Sequence, residues 1–171
     1  MEVVMMSYKK DKPLIMRLIR YCVYAVLQLS WGFPASALGF IVFLANLTRP
    51  HVFFHGCILT RWKNLSGLSL GLFIFVPEEG CQDADPITVH EYGHTLQNLI
   101  TGPFYLILGF ISFVWANAPK YVRMRREHDI PYSSCFTEEW ANILGEKALH
   151  IPSIEAAERR RWRANKKLGR I

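Results

Sequence analysis

Two long runs of the sequence carry no charge: no Asp, Glu, Lys or Arg occurs from Tyr21 to Thr48 or from Thr95 to Pro119. This feature constrains the fold most, because charge-free stretches of such length suit a bilayer better than a water-facing surface. At 171 residues the chain has room for one compact domain plus membrane-contacting pieces.

The charges that remain are segregated. Residues 1–20 form a basic N-terminal arm with five Lys/Arg against two acids. Residues 49–98 carry three against five, and residues 119–171 carry twelve against seven. Basic arms beside apolar stretches face anionic lipid on the cytoplasmic side, so membrane lipid is an expected partner. The run Arg159-Arg160-Arg161-Trp162-Arg163 raises nucleic acid as a rival, but no nucleic-acid fold signature accompanies it. Residues 151–171 are read as a basic C-terminal tail, solvated or lipid-facing. Cys22, Cys57, Cys81 and Cys135 form no C-x-x-C pair, which excludes both a disulfide framework and a zinc ribbon.

Residues 21–48 are read as a membrane segment, since the run lacks a clear signal-peptide cleavage pattern. As one helix it would be ~42 Å long, against a ~30 Å apolar core. Gly32-Phe33-Pro34 interrupts it, because Pro34 removes a backbone donor and disfavours helix at Phe33. Either a kinked span or a re-entrant pair of half-helices follows. Residues 51–62 and 67–76 read as two strands of a β-hairpin turning at Lys63-Asn64-Leu65-Ser66-Gly67. In the second strand Leu68, Leu70, Leu72, Ile74 and Val76 alternate with Gly67, Ser69, Gly71, Phe73 and Phe75. Residues 77–85 form a polar loop. Asp85 as N-cap and Pro86 at the first position then open a helix that runs to about Ile100 and stops at Gly102-Pro103. Residues 103–118 are apolar and aromatic-rich and read as a helix, and a last helix covers about 136–150. The predicted fold class is α+β.

His90-Glu91-Tyr92-Gly93-His94 is an H-E-x-x-H motif. On a helix, positions i and i+4 share a face, so both imidazoles reach one ion. Zn2+ accepts a neutral imidazole nitrogen at about 2.0–2.1 Å and acidifies water. Glu91 adjoins the pair and suits the general base. Gly93 is read as leaving room beside the metal. His51 and His55 are expected to lie on one strand face, away from the site. His150 ends a helix, where a cation is favoured.

The motif and its setting resemble the zincin metallopeptidases, whose H-E-x-x-H helix follows a small sheet with a substrate-binding edge. In their gluzincin branch a second helix supplies a Glu ligand, and an acid four residues later steadies a zinc-bound His. Thr137-Glu138-Glu139-Trp140-Ala141-Asn142 is similar, with Asn in place of Asp. The resemblance implies Glu138 as third ligand, with Glu139 in reserve, and Asn142 as partner of a His N–H. It also implies His128 or Tyr132 as oxyanion stabiliser. The longer pattern, through Thr95-Leu96-Gln97, Gly102-Pro103 and Phe136 to Gly145, is similar to small membrane-associated bacterial zinc peptidases. It covers roughly residues 50–146, within a zincin-like domain of residues 49–150. The third histidine of metzincins and the Asp-Gly segment of site-2 proteases have no match here.

Counting Lys and Arg would put both arms inside and the middle outside. One ion gripped by His94 and Glu138 demands that the chain return. Residues 103–118, ~24 Å as a helix, are therefore expected to pack, lie at the interface, or dip and come back. The implied function is a membrane-associated, zinc-dependent metallopeptidase acting on a peptide or protein substrate. The alternative is a non-proteolytic membrane protein with a structural zinc.

Overall fold

The computed structural model describes residues 14–78 and 85–168. Most of the basic arm, residues 79–84 of the 77–85 loop with Cys81, and the last three residues lie outside the described residues. The fold is α+β: a four-stranded sheet lies between helices.

Helix α1 (Leu14–Ser30) begins inside the basic arm, taking in Arg17 and Arg20. It meets α2 (Phe33–Ala45) at an angle of 97°. The break falls at Gly32, with Pro34 in the first turn of α2. The bend frees the Gln28 carbonyl from its helical partner, and the Ser36 hydroxyl donates to it at 2.8 Å. Gln28 is itself buried and donates to the Thr95 carbonyl at 2.8 Å and to Tyr24 Oη at 3.0 Å. Asn98 donates to the Gln28 side-chain carbonyl, which ties α1 to the helix that carries the site.

The predicted hairpin is two hairpins. Strands β1 (His51–Phe54) and β2 (Cys57–Trp62) join through His55-Gly56, both at positive φ (48° and 97°), as a type I′ turn requires. His55 therefore sits in a turn and not on a strand face. Strands β3 (Leu68–Leu70) and β4 (Phe73–Pro77) join through Gly71-Leu72, with Gly71 at φ 60°. The alternation read across 67–76 spans this reversal, so Leu68 and Ile74 end on opposite sides of the sheet. The segment 63–67 is a crossover, because β2 and β4 pair in parallel; the order is β1-β2-β4-β3. Both faces are covered. Leu59, Ile74 and Val76 pack with Tyr92, Leu96 and Leu99, while Phe73 and Phe75 pack with Val42 and Phe43 of α2.

Helix α3 (Pro86–Thr101) starts and stops within a residue of the limits set by its proline and glycine, with Gly102 at φ 56° as the cap. A 3-10 turn leads into α4 (Tyr105–Asn117). Counted through that turn, Pro86–Asn117 is one run of 32 residues, long and apolar enough to cross a membrane. The expectation for 103–118 treated that segment alone and missed this continuity. Ile107, Phe110 and Phe113 of α4 are exposed, as are Ile41 and Leu44 of α2 and Val23, Val26 and Leu29 of α1.

The chain then comes back. Helix α5 (Pro119–Glu127) follows directly, and Arg125 donates to the carbonyls of Trp115 and Ala116, holding α5 against the end of α4. Helix α6 (Phe136–Leu149) crosses α3 at very short range. A Cβ on Gly93 would lie 1.9 Å from the Ala141 carbonyl oxygen, and one on Gly145 would lie 2.1 Å from that of Val89. Gly93 therefore makes room for the backbone of α6, which corrects its reading as space beside a metal.

The basic tail is also ordered. Helix α7 (Ala156–Lys167) buries Arg159, which pairs with Glu146, and Arg163 pairs with Glu139. Burial alone would raise the Glu146 carboxyl, but the Ser153 hydroxyl and N–H and the Arg159 guanidinium hold it below its ordinary value. His150 closes α6 in the left-handed conformation at φ 59°.

Candidate metal centre

One turn of α3 separates His90 from His94, and both rings lean toward the first turn of α6. His90 Nε2 and His94 Nε2 are 3.2 Å apart. Glu138 Oε2 lies 3.1 Å from the first and 3.6 Å from the second. His90 and Glu138 are buried, and the three residues form a group able to hold a metal ion.

The outer hydrogen bonds set the state of each ring. His90 Nδ1 is 3.0 Å from Asn142 Oδ1, an acceptor, so Nδ1 carries the proton. His94 Nδ1 is 2.7 Å from Gln97 Oε1, and Gln97 is fixed in that sense because its Nε2 donates to the Thr137 carbonyl at 2.6 Å. With Nδ1 bonded outward in each ring, Nε2 is the atom turned toward the Glu138 carboxylate. These three atoms, about 3.3 Å apart, need a cation between them, either a proton or a metal ion. A tetrahedral ion with bonds of about 2.0–2.1 Å separates its ligands by about 3.3–3.4 Å, which the three distances straddle. Glu138 Oε1 is buried without a hydrogen-bond partner, a second sign of a group made for a ligand. Burial would raise the Glu138 carboxyl, yet with a proton on the imidazole side the hydrogen bonds and charge of His90 and His94 hold it well below the ordinary range.

Glu91 points elsewhere than the three ligands. Its Oε2 accepts from Ser69 Oγ at 2.7 Å, on edge strand β3. Gly67 permits this: a Cβ there would lie 2.1 Å from Glu91 Oε1. Tyr105 packs its ring edge-on to that of His94, with centroids 6.5 Å apart, and donates to the Ser69 carbonyl at 2.8 Å. Ligands and Glu91 line a cavity of about 760 Å³, which continues along α4.

The other predicted residues divide. Tyr132 lines this cavity. Burial, then the charges of Glu138 and Glu91, push its phenol well above its ordinary value, so it remains a donor. His128 is exposed at the end of α5 and lines a different cleft with Glu155 and Trp162, so it is not at the site. Glu139 is committed to Arg163 and lies off the ligand face. His51, on β1, is hydrogen-bonded to Thr60 of β2. Gln97, Ser69, Gly67 and Tyr105 drew no role from the sequence. Gln97 alone carried a local signal, at i+3 from His94 on the same helix.

The bond from Asn142 predicts its own effect. Asn142→Ala removes the acceptor that orients His90, and metal affinity should fall about 10–100-fold by competition titration against a chelator. Unchanged affinity would deny Asn142 this role. No protein-family model matches the chain, and neither a curated protein nor a solved structure matches it.

Proposed function

We propose that the protein is a membrane-associated, zinc-dependent metallopeptidase of zincin type, with His90, His94 and Glu138 as ligands and Glu91 as general base. The observation that carries this reading is the convergence of two imidazole Nε2 atoms and one carboxylate oxygen beside a separately anchored carboxylate, all on one open cavity. Two imidazoles and a carboxylate suit Zn2+. When bound, the ion polarises a carbonyl as a Lewis acid and acidifies water.

The chain's residues supply the rest. Glu91, held by Ser69, takes a proton from the attacking water and passes it to the leaving amine. Tyr132, kept protonated, offers a donor toward oxygen that gains charge. Asn142 and Gln97 fix the tautomers of the two ligand rings. Trp62, Leu68 and Leu106 line the cavity and limit water around the reacting groups. The exposed apolar faces of α1, α2 and α4, flanked by basic segments, support membrane association.

A structural zinc site would fill its fourth position with a protein group. Among the described residues three groups converge, which favours an open, catalytic arrangement. Zinc content tests the reading. Detergent-purified wild type should hold about one zinc per chain by mass spectrometry, and Glu138→Ala should fall well below half that after dialysis. A wild type that stays metal-free after loading would overturn it, as would a stoichiometry indifferent to loss of Glu138.

A further inference from the structure

Beyond the metal, the cavity carries information about what enters it. Its wall along α4 includes Leu106, Gly109, Phe113 and Ala116, spaced three or four residues apart, with Ser112 and Asn117 beside them. Facing it are Leu68 and Trp62 from the sheet. Gly109 differs from the other described glycines considered at close range. Gly93, Gly145, Gly67 and Gly71 each press against a neighbour, whereas a Cβ on Gly109 would meet nothing within 4 Å. Packing does not account for the missing side chain there, and an interior helix position without one costs roughly 1 kcal/mol of helix preference. Its place does have a use. Gly109 lies one helical turn beyond Tyr105, whose ring meets His94, so the open volume adjoins the reacting centre.

The charge of the lining narrows the occupant. Among the described residues no Lys or Arg lines the cavity, and the acids that do are Glu91 and Glu138. Away from the metal, an acidic side chain entering here would find no described basic partner and would lose water against apolar lining. On β3 the Ser69 carbonyl already accepts from Tyr105, and backbone groups bond any residue alike, so they do not select. Selection therefore falls on a side chain.

Resting on the peptidase reading, we propose that Gly109 is a specificity-determining residue: the slot between α4 and β3 takes a large apolar side chain of the polypeptide substrate, next to the bond that is cut. The substrate class is a polypeptide with Phe, Leu or a similar residue at that position, and not one with Asp or Glu.

The test separates binding from turnover. Fluorescent pentapeptides Ala-Ala-Xaa-Ala-Ala, with Xaa as Phe, Leu, Ala or Asp, are titrated by anisotropy into the zinc-loaded Glu91→Gln protein in detergent. The Phe and Leu peptides should bind about ten-fold or more tighter than the Ala peptide, with Asp weakest. Adding Gly109→Leu, which fills the slot from its own wall, should bring the Phe-to-Ala ratio toward one. Gly109→Ala should give an intermediate ratio and serves if the larger variant does not fold. A parent protein that binds Phe and Ala peptides equally would overturn the proposal, as would a preference that survives Gly109→Leu. Cleavage by the wild type is scored apart. Preference without cleavage upholds the slot while the peptidase reading fails; cleavage without preference does the reverse.

Discussion

Glu91→Gln should leave zinc content at the wild-type level and lower kcat/KM on cleavable peptides by about 10²–10⁴-fold. The size follows from the usual worth of a positioned general base. The separation of the two readouts follows from the structure. Glu91 is not one of the three converging atoms, so its loss removes no ligand. Gln has the same shape, and its amide carbonyl still accepts from Ser69 Oγ, the 2.7 Å contact that aims the side chain. What Gln lacks is the ability to take a proton at neutral pH. Zinc measured by mass spectrometry and kinetics on a broad peptide panel check the two halves together. Full activity in the variant would remove Glu91 from the mechanism. Loss of zinc would instead make it part of the metal's support.

The second large effect comes from a single methyl group. Gly93→Ala should destabilise the protein by about 3 kcal/mol or more, and zinc retention should drop with it. The sign is what makes this informative. In an unconstrained helix interior, Gly to Ala stabilises by roughly 1 kcal/mol. Here the added Cβ would stand 1.9 Å from the carbonyl oxygen of Ala141, a backbone atom that cannot swing aside. Helices α3 and α6 must separate, and separation carries Glu138 away from His90 and His94. Thermal unfolding in detergent, followed by circular dichroism with and without a chelator, reads both consequences. A variant as stable as wild type, or more so, would show that the crossing is looser than described.

The parts of this molecule legible in its sequence are those governed by local rules. Asp85-Pro86 and Gly102-Pro103 bracket α3 to within a residue because a proline opening and a glycine cap act on their own backbone. Gly32-Phe33-Pro34 marks the break between α1 and α2 for the same reason, though not its 97°. The i, i+4 spacings of His90 with His94, and of Glu138 with Asn142, put each pair on one helix face, and the structure brings the two faces together. What was not legible depends on partners distant in sequence. Alternation through 67–76 looked like one strand because period-two patterning does not register a reversal at Gly71-Leu72. Gly93 looked like space for an ion because a glycine's neighbour across a helix crossing leaves no local trace. Ser69 meets Glu91 across 22 residues of sequence, and Tyr105 meets Ser69 across 36. The basic tail read as solvated because its charges dominate, while the acids that pair with Arg159 and Arg163 sit on α6.

Four contacts join α6 to α3 along one line: Val89 with Gly145, His90 with Asn142, Gly93 with Ala141, and Gln97 with Thr137. Sequence numbers rise on one helix as they fall on the other, like teeth in an antiparallel rack. Sliding α6 by one residue would turn it through about 100° and unmesh all four together. The pair therefore has one engaged setting and no graded alternatives. Small displacements are not absorbed by adjusting one side chain; they are either refused or end in disengagement.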